Sequence, residues 1–287
     1  MKLIIIVIAF LTEQHLGSLE RWRDWRWLHW LADRLHTAFA GSSFWGGPLG
    51  VIATLAPPLL LAKAVYAYSY DHMWMVWVLL QVVTLLYSMG PHDLINLVDR
   101  YVQALNAGNT ADLNATAAEL TGQAELQAEQ RPQAVLESIF TGANRRLFAL
   151  YFWFAVLGGV GALLMRGLVE LRPVSTSRTL GFSHAADRLH ALMMWIPTRL
   201  FALGFALAGS LTHTFDRWSI GQTLHADEND NLVKAAGLGA LQFDRAGQAL
   251  GVEEERDWVE QARGLVGRTF LVWLTVLGVM TLYGWAV

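Results

Sequence analysis

Nineteen consecutive residues, Leu147 to Met165 (LFALYFWFAVLGGVGALLM), carry no charge, and the run is entered through Arg145-Arg146 and left through Arg166. As a helix it would match the hydrocarbon core of a bilayer, which takes roughly 20 residues at ~1.5 Å each. Flanking arginines suit its ends, because their apolar stems lie along lipid while the guanidinium reaches the headgroup layer. Phe44–Ala62, Met73–Met89 and Thr269–Val287 are uncharged in the same way. Several such runs predict an all-α, multi-pass membrane protein with four to six embedded segments.

Composition narrows the class further. Charged residues are 16% of the 287 and hydrophobic ones 54%, where a soluble domain is nearer ~25% charged. The formal net charge is −3 without a basic cluster, so nucleic acid is not an expected partner. There is no cysteine, which excludes disulfides, thiolate metal sites and cysteine nucleophiles together. Met1–Leu11 resembles the start of a signal peptide, but no small-residue cleavage site precedes Glu13-Gln14-His15, so the segment is read as retained.

Leu19–Phe39 fits a helix with Trp22, Trp25, Leu28, Leu31, Leu35 and Phe39 near one face. Its four tryptophans and four arginines suit the membrane interface, where Trp prefers the headgroup level. The first uncharged run holds Gly46-Gly47-Pro48 near its start and Pro57-Pro58 inside, so a kink or break is expected there. A polar turn around Ser69–His72 then leads to the second run. Residues 90–146 and 212–268 form two polar helical segments. In the first, Asp93–Leu105, the alanine-rich Ala111–Gln130 and Gln133–Thr141 read as helices.

Gly158, Gly159 and Gly161 sit at the midpoint of the central run. They permit close helix contact and also a break into a re-entrant hairpin; a continuous span is the expectation. Leu189–Leu211 is long and apolar but contains Pro197 and Arg199. A cation facing lipid costs several kcal/mol, so Arg199 must face protein, water or an interface. The whole reads as one integral membrane domain, residues 1–287. If Met1–Leu11 and Leu189–Leu211 both cross, the two polar segments share the side that carries most Lys and Arg, which positive-inside counting makes cytoplasmic.

No catalytic site is legible. The only lysines are Lys2, Lys63 and Lys234, none in a GxxxxGK loop, and no GxGxxG or GxSxG is present. His29, Asp33 and His36, or His184, Asp187 and His190, are too widely spaced to chelate one ion as an i, i+4 pair does, so no metal is expected, and no cofactor can be assigned. Ionisable and polar groups beside the apolar runs are better candidates. Glu13 is one such group. Glu137, Asn144, Arg146, Arg166 and Arg199 form the candidate ligand-binding set, with anchoring or structural pairing as the alternative. Guanidinium pairs bidentately with carboxylate or phosphate, so the three arginines suit an anionic ligand.

In chain order, ALNAGNTADLNATAAEL, AVLESIFTGAN, YFWFAVLGGVGALLMR and WIPTRLFAL resemble the CobD/CbiB family of adenosylcobinamide-phosphate synthases. That resemblance implies a membrane enzyme that attaches an aminopropanol arm to a corrinoid by ATP-dependent amide ligation. The departures fall on the family's chemistry. No His-Pro-Val element lies between Leu11 and Gly50, Gly142–Arg146 replaces an acidic Glu-Asn…Asp stretch, and Gly167–Leu171 replaces Asn-Thr-Leu-Asp.

A divergent branch, the AmpE proteins, is similar at Asn144-Arg145-Arg146, at Trp195–Leu200 and at the ending Leu282–Val287. This resemblance implies a bacterial inner-membrane signalling modulator linked to β-lactamase induction and cell-wall recycling, without the ligase activity. Its implied partners are the lipid bilayer and a muropeptide or lipid-linked anionic ligand. A homodimer is compatible with the sequence but specified by no residue pattern. The alternatives are a ligase or transferase using ATP and Mg²⁺ through Glu137 and Asn144, and a transporter of a small anionic or lipid-linked substrate.

Overall fold

The computed structural model describes residues 2–16, 24–39, 42, 44–89, 94–172, 180–218 and 225–283. Among them every regular element is helical, as the apolar runs predict. The order begins α1 (Lys2–Leu16), α2 (Arg26–Ala38), α3 (Pro48–His72) and α4 (Trp74–Ser88). It continues with α5 (Leu94–Ala107), α6 (Thr110–Thr121) and α7 (Arg131–Gly142), then a π-helical turn (Ala143–Phe148) that leads into α8 (Ala149–Leu157). After α9 (Gly159–Leu171) and α10 (Leu180–Ala208) come α11 (Leu211–Arg217), a 3₁₀ turn (Ala226–Glu228), α12 (Asn229–Leu241) and α13 (Val252–Leu282). Three of these, α3, α10 and α13, are long and apolar enough to cross a membrane, and α4 is a shorter apolar helix.

Local chemistry sets several boundaries. Pro48 opens α3, where a missing backbone N–H costs nothing. Asn109 caps α6 by accepting from the backbone N–H groups of Ala111 and Asp112, and Gly122 ends it at φ +72°. The alanine-rich stretch is therefore helical only to Thr121, short of the expected Gln130. Nor does α3 break at Pro57-Pro58; it continues through both and turns only at Met73. Helices α4 and α9 pack along it and hold it in place. Leu19–Arg23, including Trp22, and the side chain of Glu13 lie outside the described residues.

The chain forms two compact units. Unit 1 comprises residues 1–91, 149–194 and 277–287, and unit 2 comprises residues 92–148 and 195–276. In unit 1, α1 packs on α4 and α8, α3 packs on α4 and α9, and α2 lies on α3 and α9. Its core joins Leu28 of α2, Trp45, Val51 of α3, Leu171 of α9 and Phe182 of α10.

The central uncharged run is not one continuous span. It ends at Leu157, passes through Gly158 at φ +67°, and returns as α9 packed against α8. Two glycines make the reversal feasible. Gly158 adopts a backbone that side chains resist, and a Cβ on Gly161 would lie 2.2 Å from the Trp153 carbonyl oxygen. Gln81 of α4 completes the turn, its Oε1 accepting from Gly159 N–H at 2.7 Å. The backbone donor freed by the break is thus satisfied inside the apolar bundle.

Unit 2 gathers α5, α6, α7, the last part of α10, α11, α12 and most of α13. Tyr101, Phe140, Phe201, Phe205 and Phe243 are its large buried side chains. The acidic start of α13 and the final apolar run belong to one uninterrupted helix of 31 residues, so no element boundary separates the second polar segment from the last span.

Candidate functional site

Most of the sequence-derived set falls on one polar seam of unit 2, where α7 and its π turn meet α10 and α12. A π turn carries one more residue per hydrogen-bonded ring than an α-helix and so shifts side chains around the axis. Here Asn144 faces inward, fully buried, and Arg145 faces outward. Asn144 Nδ2 donates to Thr198 Oγ1 at 2.9 Å, while Asn144 Oδ1 has no hydrogen-bond partner among the described residues. Arg146, next but one along the π turn, is half-buried.

Arg199 follows Thr198 on α10 and is 8% exposed. Its guanidinium donates to the carbonyls of Trp195 and His225, each at 3.0 Å, and to Oδ1 of the buried Asn229. Its Cζ also lies 4.6 Å from the centre of the Trp195 ring. Each of these acceptors is neutral, and the aromatic face adds a cation–π contact. Of the settings expected for Arg199, protein, water or an interface, these contacts are with protein.

The carboxylates along the seam carry basic partners. Glu137 on α7 lies 3.2 Å from Lys234 Nζ on α12 and accepts from Gln133 Nε2 at 2.7 Å. Asp230, one turn before Lys234, is ion-paired with Arg145. These contacts tie α12 to α7, and Phe140 closes against Gly237 beneath them.

Arg166 belongs to unit 1 instead. It pairs with Glu170 one turn along α9, and Glu170 Oε2 lies 3.4 Å from His29 Nε2. The spaced set His184, Asp187 and His190 is divided: Asp187 pairs with Arg172 at 2.7 Å, and His190 is buried. No group of three His, Asp or Glu side chains among the described residues is placed to hold one metal ion.

Sequence reasoning missed a buried ionic cluster. Glu255 is 1% exposed and receives Nε and Nη2 of Arg131 at 3.2 and 2.9 Å, together with the Tyr101 hydroxyl. Burial and the neighbouring carboxylate raise the Tyr101 pKa, and the Glu255 hydrogen bond raises that of Arg131. In sequence Glu255 is the last of three glutamates and looks solvated. The available signal was spacing, since Glu255, Val259, Ala262, Leu265 and Thr269 form the one buried stripe of α13.

A profile of the family described as CobD/Cbib protein matches residues 6–285. The chain belongs to the CobD/CbiB family. It is 28% identical over 294 aligned positions to "Cobalamin biosynthesis protein CobD" of Stutzerimonas stutzeri (strain A1501), covering 95% of each chain. It is 25% identical over 271 positions to the protein of the same name from Chromobacterium violaceum, covering 90% of this chain and 85% of the relative. No solved structure matches it. In this CobD/CbiB chain the segments Asn144–Arg146 and Trp195–Leu200, far apart in sequence, meet through the Asn144–Thr198 hydrogen bond.

Proposed function

We propose that the protein is a regulatory member of the CobD/CbiB family, of the AmpE type. In this reading it acts as one integral domain of the bacterial inner membrane, with residues 90–146 and 212–268 on the cytoplasmic side. It senses an anionic muropeptide or lipid-linked precursor rather than forming an amide. The observation that carries the reading is the seam itself. The two segments that resemble AmpE proteins are joined at Asn144–Thr198, and the carboxylates beside them are already engaged, Glu137 by Lys234 and Asp230 by Arg145.

A second reading, the ATP-dependent amide ligase, is favoured by the names of both relatives, which support it more directly than they support a regulatory role. The two readings separate in one assay. Purified protein in lipid nanodiscs is supplied with ATP, Mg²⁺, a corrinoid carboxylic acid and aminopropanol phosphate, and the amide product is sought by mass spectrometry. The regulatory reading expects no product and no calorimetric binding of ATP. It also expects that deleting the gene changes β-lactamase induction, and that the intact protein, but not Asn144→Ala with Arg199→Gln, restores it. Amide formation at a rate that falls with Glu137→Gln would replace it with the ligase.

A further inference from the structure

Helix α2 belongs to unit 1, whereas the seam belongs to unit 2. Its inner face, Leu28 and Ala32, is fully buried against Val51 and Leu55 in the first turns of α3 and against Leu168 and Leu171 in the last turns of α9. It is also fastened to the end of α4, where the Tyr87 hydroxyl accepts from Trp27 Nε1 at 2.8 Å and donates to the Asp24 carbonyl at 2.6 Å. The α2 helix therefore lies across the end of unit 1 at which α3 begins and α4 and α9 finish. At the far end of the α3–α4 hairpin, Tyr68, Tyr70 and Trp74 are exposed. The 25 residues of α3 separate the two aromatic ends by roughly 37 Å, close to the ~40 Å of a bilayer with its interfacial layers. Aromatic residues at both ends of a helix long enough to span mark the two headgroup levels.

The outward face of α2 presents Trp27 and Trp30, which are 41% and 61% exposed, with Arg26 before them and Arg34 one turn after Trp30. Arg26 is engaged by Asp24 at 2.6 Å, and Asp33 is only half-exposed. Arg34 instead lies against Trp30, its Cζ 5.5 Å from the ring centre. A guanidinium held beside an indole at headgroup depth matches a phosphodiester in charge and in hydrogen-bond geometry. We infer that α2 is a lipid-facing surface helix whose Trp30–Arg34 pair takes the phosphate of an anionic phospholipid headgroup from the adjoining leaflet.

The cysteine-free chain makes the test direct. Ala38→Cys, at the exposed end of α2, carries a bimane fluorophore in the full-length protein, reconstituted with phosphatidylglycerol or phosphatidylcholine brominated on the acyl chain. Both lipids should quench the label. The anionic lipid should be preferred about fivefold, the factor expected from one basic side chain at an anionic surface. Adding Arg34→Gln should bring that preference close to unity, with the thermal midpoint unchanged. No quenching by either lipid, or equal quenching by both before the arginine is changed, overturns the inference.

Discussion

Asn144 and Thr198, separated by 54 positions in the chain, form a buried side-chain hydrogen bond of 2.9 Å. It joins the π turn to the Pro197–Arg199 stretch of α10, so the register of the two helices is fixed by a polar contact as well as by the aromatic packing around it.

Asn144→Ala strands the Thr198 hydroxyl without an acceptor or donor and should cost about 1–3 kcal/mol. Thr198→Val should cost a similar amount. The double change should cost less than the two together, by about 1 kcal/mol, because both single changes break the same contact. Thermal unfolding of the four proteins in one detergent measures that coupling.

Glu255→Gln removes the carboxylate from a guanidinium that is only 15% exposed. Breaking one side of a buried pair costs about 3–5 kcal/mol, and the residual exposure of Arg131 favours the lower end. Replacing Glu255 and Arg131 together by Gln and Leu should recover part of the loss. Equal stability of Glu255→Gln and the parent, read from thermal midpoints, would show that the cluster contributes nothing.

Alkaline pH provides a separate check on Tyr101. Its pKa is raised in the folded protein, so the stabilisation is complete below the ordinary tyrosine value of ~10. That contribution is lost as pH climbs toward the folded value, because only the unfolded chain then releases the proton. Midpoints measured from about pH 8 to 11 should fall more steeply in the parent than in Tyr101→Phe.

Gly161→Ala sets a methyl group 2.2 Å from the Trp153 carbonyl oxygen, a backbone atom that cannot rotate away. The α8–α9 hairpin must open, at a cost of at least ~1–3 kcal/mol. Cross-linking between cysteines placed on the two helices should decline accordingly.

Gly237→Ala meets the Phe140 ring at 2.4 Å. That ring is fully buried and packed edge-on to Phe205, with centroids 5.2 Å apart, so it has no room to swing. Destabilisation of about 1–3 kcal/mol is expected, together with weaker coupling of α12 to α7. Limited proteolysis between α11 and α12 should detect it as faster cleavage.

The candidate residues stood out one by one in the sequence, and their meeting along one seam did not. Arg199 stood out because a cation within an apolar run must find a partner, and Asn144 because it borders such a run. What spacing could not show was the π turn, since one extra residue in a ring leaves no mark in hydrophobic periodicity. It also could not show which groups neutralise Glu137 and Asp230. Those partners, Lys234 and Arg145, lie on other elements. Arg166 looked equivalent to the other arginines in sequence but is paired within unit 1.

The sequence by itself determined that the chain is helical and made for lipid, because uncharged runs of this length satisfy their backbone only by coiling, and few other places tolerate them. Tertiary packing decided the rest. Gly158 and Gly161 permit either a through-going helix or a reversal, and the choice is made by Gln81 receiving the freed N–H and by Trp153 offering a backbone that only glycine can approach. Likewise Glu255 is a solvated acid or a buried anchor according to whether Arg131 and Tyr101, distant in sequence, arrive beside it.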